Sequence, residues 1–177
     1  KAIYYYKKGL VYANKTTNDT IKNALNNNLG NMYCFEKNDF DVGINYYKKA
    51  LEYSTNIANA GRVYITNMNI TWAYFYKGSF DKGEPYLDFI NKHQKTDGDE
   101  TTIVAANMLN GMFFTNKLKF DKAELFFKKA IELGKQDIDK ADLSYAHEEY
   151  AKLLMKKGDY KRAYENLALY NSITKTL

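Results

Sequence analysis

The chain repeats itself every forty residues. Asn38-Asp39-Phe40-Asp41 returns as Gly78-Ser79-Phe80-Asp81, then as Leu118-Lys119-Phe120-Asp121, then as Gly158-Asp159-Tyr160-Lys161. Phe40, Phe80, Phe120 and Tyr160 therefore share one strict period, each behind a short polar or glycine-containing turn. A fixed period of twenty to fifty residues is the signature of a solenoid, in which each repeat is one supersecondary unit that buries its apolar face against its neighbours. No compact single-core fold imposes such a spacing.

The segments between the turns read as helices. Tyr145, Ala146, Tyr150, Ala151, Leu153 and Leu154 follow helical spacing. One proline in 177 residues leaves such helices uninterrupted, and 45% hydrophobic content is ample for a continuous core. Ala2-Ile3-Tyr4-Tyr5-Tyr6-Lys7-Lys8-Gly9-Leu10 reads like Gly43-Ile44-Asn45-Tyr46-Tyr47-Lys48-Lys49-Ala50-Leu51 and like Ala123–Ile131. Residues 1–12 are thus the second helix of a repeat whose first helix is cut away, and the chain reads as an excised fragment. A polar loop over 13–20 follows, with Asp19 or Thr20 expected as helix N-cap. Four helix pairs are then expected, at 20–37 and 40–56, 58–77 and 80–94, 99–117 and 120–135, and 139–157 and 160–175. The whole is one array of about nine helices.

On these residues the chain resembles the tetratricopeptide repeat family. A small residue in the second helix recurs as Gly43, Gly83, Ala123 and Ala163, three positions after each periodic aromatic. Its partner column in the first helix, nine positions before the aromatic, is Asn31, Thr71, Gly111 and Ala151. Only small groups let two helix axes approach closely. The period of 40 exceeds the family's usual 34 or so, which implies longer helices. A column of Asn27, Asn67, Asn107 and His147 stands where the family places a tryptophan. Its structural use would be an amide ladder or caps on helix carbonyls; its functional use would be polar contacts to a ligand. The resemblance implies an all-α, right-handed α–α superhelix.

The resemblance also implies a ligand groove lined by the first helices. The matching positions are Asn28, Met32 and Glu36, then Met68, Trp72 and Tyr76, then Met108, Met112 and Asn116, then Glu148, Lys152 and Lys156. The lone tryptophan and four of five methionines fall on this set, and such residues serve either as adaptable contact surface or as core. The Lys/Asn/Arg clamp that some members use on a chaperone's terminal carboxylate is absent from these positions. An apolar or amphipathic partner fits better, with Lys152, Lys156 and Lys157 able to take an acidic end. Lys157–Tyr164 and Leu169–Ile173 resemble the last repeat of bacterial sensor proteins, in which a membrane span and a kinase or DNA-binding output domain follow.

Chemistry is harder to find. His93 and His147 lie far apart and outside any spaced metal motif. Cys34 is the only cysteine, which excludes a disulfide within the chain and reads as a buried, inert thiol. Asp97-Gly98-Asp99-Glu100 is too short for a calcium loop and reads as a helix stop followed by an acidic first turn, as do Asp137, Asp139 and Asp142. Glu148 and Glu149 are adjacent on a helix and face different ways, so they form no acid–base pair. No phosphate loop or nucleophile elbow is present. The expectation is no enzyme, no cofactor and no metal. The net charge of +5 is spread through every segment among acidic residues, as on a solvated helical surface, so no nucleic-acid partner is expected.

The leading expectation is a scaffold that binds a protein or peptide, acting as the sensory or interaction region of a larger bacterial signalling or regulatory protein. An extracytoplasmic domain of a membrane-anchored protein is favoured over a cytoplasmic one, with the membrane reached only through other parts of the parent chain. The alternatives are a self-association module forming a homodimer, exposing Tyr4, Tyr5, Tyr6 and Tyr12, or a free-standing soluble adaptor; nucleic-acid binding ranks below both.

Overall fold

Every periodic aromatic opens a helix. In the computed structural model, which describes residues 1–99, 102–135 and 140–176, the second helices run Phe40–Asn56 (α3), Phe80–His93 (α5), Phe120–Gly134 (α7) and Tyr160–Thr174 (α9). The matching first helices are Asp19–Asn31 (α2), Ala60–Tyr76 (α4), Thr102–Asn116 (α6) and Ala141–Lys157 (α8), and Ala2–Ala13 (α1) precedes them. These nine helices, with one π-helical turn at Met32–Glu36, are the regular structure of the described residues.

The turn ahead of each aromatic has one conformation. The residue two positions before it is left-handed in all four repeats: Asn38 at φ 55°, Gly78 at 78°, Leu118 at 57° and Gly158 at 78°. The residue after it closes the turn by donating its N–H back to the first helix: Ser79 to Tyr74 O at 2.8 Å, Lys119 to Phe114 O at 2.9 Å, Asp159 to Leu154 O at 2.9 Å. That closing bond satisfies a carbonyl that the helix end would otherwise orphan. Asp39 and Asp159 also cap the next helix, their carboxylates accepting from Val42 N and Arg162 N. Asn18 is the cap of α2, accepting from Ile21 N, so the N-cap lies one residue before the expected Asp19. Asp99 accepts from Thr102 N at 2.9 Å and caps α6 as its spacing implied. Glu100, Asp137 and Asp139 lie outside the described residues, and Asp142 stands in the first turn of α8.

The first repeat differs by one residue. Asp39 N reaches back six positions, to Tyr33 O, where the other repeats reach back five. Lys37 N donates to Met32 O, the i→i−5 bond of a π turn, which takes up the extra residue. Ahead of this turn, α2 is offset by one from the forty-residue columns. Gly30, not Asn31, faces Tyr47, as Gly111 faces Phe127; a Cβ on Gly111 would lie 2.7 Å from that ring. Asn26 bonds its own i−4 carbonyl, Lys22 O, at 2.8 Å, as Asn67 bonds Val63 O and Asn107 bonds Ile103 O at 2.7 Å, while Asn27 reaches its own, Asn23 O, only at 3.4 Å. The amide column is therefore mostly back-bonding within each helix rather than a ladder between helices.

The chain divides into two compact units, Lys1–Asp97 and Gly98–Leu177. In the first, α2 packs on α1 and α3, and α4 on α3 and α5. Its core gathers Cys34, Ile44, Tyr47, Ile70, Ala73 and Tyr74, flanked by Phe40, Leu51 and Tyr86. Tyr33 stacks on Tyr46 at 5.5 Å and Tyr74 on Tyr86 at 5.9 Å, one pair per repeat, and Lys7 and Lys48 stand over Tyr33 and Tyr74. In the second unit, α6 packs on α7 and α8, and α8 on α7 and α9. Leu109, Phe127, Ala130, Ala146, Leu153 and Leu154 are buried there, and Phe114 stacks on Phe126 at 5.6 Å. The small-residue column holds throughout: Gly43, Gly83, Ala123 and Ala163 are all buried.

Candidate functional site

The one-residue offset decides which side chains α2 presents beside α4. In the first unit the positions equivalent to Met68, Trp72 and Tyr76 are Asn27, Asn31 and Phe35, one residue earlier than Asn28, Met32 and Glu36. The line Asn27–Asn31 of α2 borders a cleft of about 270 Å³ with Asn23, Ala24, Asn28, Arg62, Ile65 and Asn69. Five asparagines line it.

The amides are held in place. Asn23, buried, donates to Ala50 O at 2.8 Å and accepts from Arg62 Nη1 at 2.9 Å. Asn69 Nδ2 donates to Asn27 Oδ1 at 3.3 Å, while Asn27 Nδ2 reaches Thr66 Oγ1 at 3.3 Å. The Tyr47 hydroxyl donates to Asn31 Oδ1 at 2.6 Å, which makes the amide nitrogen the donor end of Asn31. A fixed set of paired donors and acceptors with one guanidinium suits neutral, polar chemistry: it matches the alternating N–H and C=O of a main chain.

Beyond the cleft along the same two helices stands an aromatic corner. Trp72 and Tyr76 stack at 6.1 Å, and Phe35 meets both edge to face at 6.4 and 6.2 Å. Phe35, in the π turn, is 53% exposed. Sequence spacing put Glu36 in this place; the extra residue rotates Phe35 into it. Met32 is half-buried and Glu36 exposed.

The methionine stripe is interior. Met68 and Met112 are buried, and Met108 is fully so. In the second unit Asn116 and Lys156 are exposed, whereas Lys152 pairs with Glu149 at 2.6 Å and Glu148 at 3.1 Å. Lys157 is engaged by Glu124 at 2.7 Å and by Asp121 at 3.4 Å. Two of the three lysines expected to receive an acidic end are thus already paired within the chain. Glu124 is the hub of that cluster, contacted by Lys128, Lys157, Arg162 and the Tyr150 hydroxyl. Burial disfavours its charge, but the hydrogen bonds from these four groups outweigh burial and hold the carboxyl far below the usual range.

The remaining reactive side chains are accounted for structurally. Burial pushes the Cys34 thiol up to about 12, so it is protonated at neutral pH. His93 bonds Asp97 at 2.9 Å. Buried His147 bonds Asn166 Oδ1 at 2.8 Å, and burial lowers its pKa. Among the described residues no group of three or more His, Cys, Asp or Glu is placed to hold a metal ion. Among them, too, no helix is long and apolar enough to cross a membrane.

Against known proteins, residues 24–57 match the sequence profile of the tetratricopeptide repeat. The match spans most of α2, the π turn and all of α3, and α2 is one wall of the cleft. The crystal structure of BtubC (BKLC) from P. vanneervenii superposes with a TM-score of 0.69 over 97% of this chain and 71% of that one, at 17% identity, a likeness of fold. No curated protein sequence matches the chain. Residues 24–57 are a tetratricopeptide repeat, and the chain is an all-α array of helix hairpins of that kind.

Proposed function

We propose that the chain binds an extended peptide segment in the cleft between α2 and α4, reading its main chain with the asparagine amides. Tetratricopeptide repeats generally mediate protein–protein interaction. The observation that carries the narrower reading is the cleft itself: Asn23, Asn27, Asn28, Asn31 and Asn69 line it with one arginine. A phosphate or nucleic-acid ligand would call for several cations, and a greasy helix would call for an apolar floor. The Phe35–Trp72–Tyr76 corner supplies an anchor for one large side chain at the end of the segment. Within the first unit, Met32 and Glu36 are outer contacts, and buried Met68 supports the wall rather than touching the ligand. The role extends to the sensory or interaction region of a larger bacterial regulatory protein, a reading that rests on the resemblance of residues 157–173.

Trp72 is the only tryptophan, so its fluorescence reports occupancy directly. Peptides selected from a random displayed library are titrated against the protein. Asn69→Ala and Trp72→Ala, the latter followed by anisotropy of a labelled peptide, should each raise Kd about tenfold or more. N-methylation of the peptide's backbone amides should weaken binding similarly. Unchanged Kd for Asn69→Ala together with tolerance of N-methylation would overturn main-chain recognition.

A further inference from the structure

One end of the asparagine cleft carries an unneutralised charge. Arg62 is half-buried there, its Nη1 fixed on Oδ1 of buried Asn23 at 2.9 Å. The chain has two arginines, and the other, Arg162, is paired with Glu124 at 2.7 Å and with Asp159 at 3.2 Å. Arg62 has no such carboxylate among the described residues, and none of the residues lining the cleft is acidic. Its guanidinium keeps further N–H donors in a planar fork, the geometry that receives a carboxylate.

The cleft also has a fixed order along its length. Arg62, Ile65, Asn69, Trp72 and Tyr76 follow at three- and four-residue intervals and so share one stripe of α4. Facing them come Asn23, Asn27, Asn31 and Phe35, four residues apart. Contacts of Arg62 with Asn23, Asn69 with Asn27 and Trp72 with Phe35 hold the two lines in register. The guanidinium thus marks one end, the amides the middle and the aromatic corner the other end. From Arg62 to Trp72 the helix advances about 15 Å. An extended chain rises about 3.3 Å per residue and alternates its side chains, so two that face the same wall across this span stand about four residues apart.

We propose that the peptide taken by this cleft carries an acidic side chain on Arg62 and a large aromatic one at the Phe35–Trp72–Tyr76 corner, about four residues apart in its sequence. The proposal rests on main-chain recognition by the asparagines and adds to it the sequence class of the ligand. The amides hold an extended segment, and the two ends select which segment it is.

The probe is fluorescein-Ser-Asp-Thr-Ala-Thr-Phe-Ser-amide, followed by anisotropy, with an expected Kd of roughly 1–100 μM. Asn in place of its Asp should raise Kd about tenfold, as should moving the Phe one residue earlier or later. Arg62→Gln should bind the Asp and Asn peptides alike, and Arg62→Glu should prefer a peptide with Lys in that place. Circular dichroism confirms the fold of each variant. Equal affinity of the wild type for the Asp and Asn peptides would overturn the proposal, and so would an Asp preference that survives Arg62→Gln. Indifference to the position of the Phe, or a preference for a peptide that ends there in a free α-carboxylate, would overturn it too. If Asn69→Ala still weakens the peptides in those cases, main-chain recognition stands and only the sequence class falls. No binding of any of these peptides at about 1 mM also overturns the proposal; the library-selected peptides then decide main-chain recognition on their own.

Discussion

Leu118 is the residue most at odds with its surroundings. It occupies the left-handed turn position at φ 57° that Gly78 and Gly158 fill without strain. An L-residue there costs about 1–2 kcal/mol, against about 0.5–1 kcal/mol of extra chain entropy for glycine. Leu118 is 71% exposed, so little apolar burial is at stake. Leu118→Gly should therefore stabilise the protein by about 0.5–1 kcal/mol in urea unfolding, while Gly78→Ala should destabilise it by a similar amount. His147 sets a second residue-scale expectation. Burial lowers its pKa in the folded state, whereas the unfolded side chain titrates near 6.5. Between those two values only the unfolded chain takes the proton, so stability is full above about pH 6.5 and falls as the pH drops through that window. Glu124 acts lower down. Its carboxyl is held below the ordinary value, so its contribution is present above about pH 4.3 and is lost on further acidification. Stability measured from pH 8 to 3 should show both declines, and His147→Gln should flatten the first alone.

At the scale of elements, the π turn is what separates the first repeat from the rest. Removing one residue would make Phe35-Glu36-Asn38-Asp39-Phe40 align with Tyr76-Lys77-Gly78-Ser79-Phe80, with Asn38 kept in the left-handed place. Deletion of exposed Lys37 should thus convert the turn to regular helix, with helicity unchanged and stability within about 1 kcal/mol of the parent. A loss of more than about 3 kcal/mol in chemical denaturation would show instead that the bulge itself is needed for packing. The offset also explains how far the site was legible. Gly43, Gly83, Ala123 and Ala163 could be read off because they follow Phe40, Phe80, Phe120 and Tyr160 within one helix. Forty-residue spacing points to Asn28, Met32 and Glu36; the π turn, which leaves no mark in residue spacing, puts Asn27, Asn31 and Phe35 at the positions equivalent to Met68, Trp72 and Tyr76, and Asn28 lines the cleft beside them. Of the cleft's lining, spacing reaches Asn28 alone, because Asn27 and Asn31 come beside Asn69 only through that shift. The signal that could have found it was the run Asn26-Asn27-Asn28, an unusual density of amides for a helix interior.

Across the molecule, burial is uneven. α1 and α9 each bury a single residue, Ala13 and Ala163, whereas α4 buries nine and α6 eleven. Local opening free energy follows buried contact, so native-state hydrogen exchange should release α1 and α9 well before α4 and α6. Equal protection in all four would contradict a stability built repeat by repeat. Aromatic period, turn residues and small-residue columns determined by themselves that the chain folds as helix hairpins, because each depends only on local backbone sterics and helical spacing. Tertiary structure alone decided which residues share a surface. Burial took Met68, Met108 and Met112 into the interior, ion pairing engaged Lys152 and Lys157, and one extra residue of helix turned the amides of α2 toward α4. The Lys152 pair is local to α8, but the Lys157 cluster and the meeting of the amides depend on contacts between residues some forty positions apart, which local spacing does not encode.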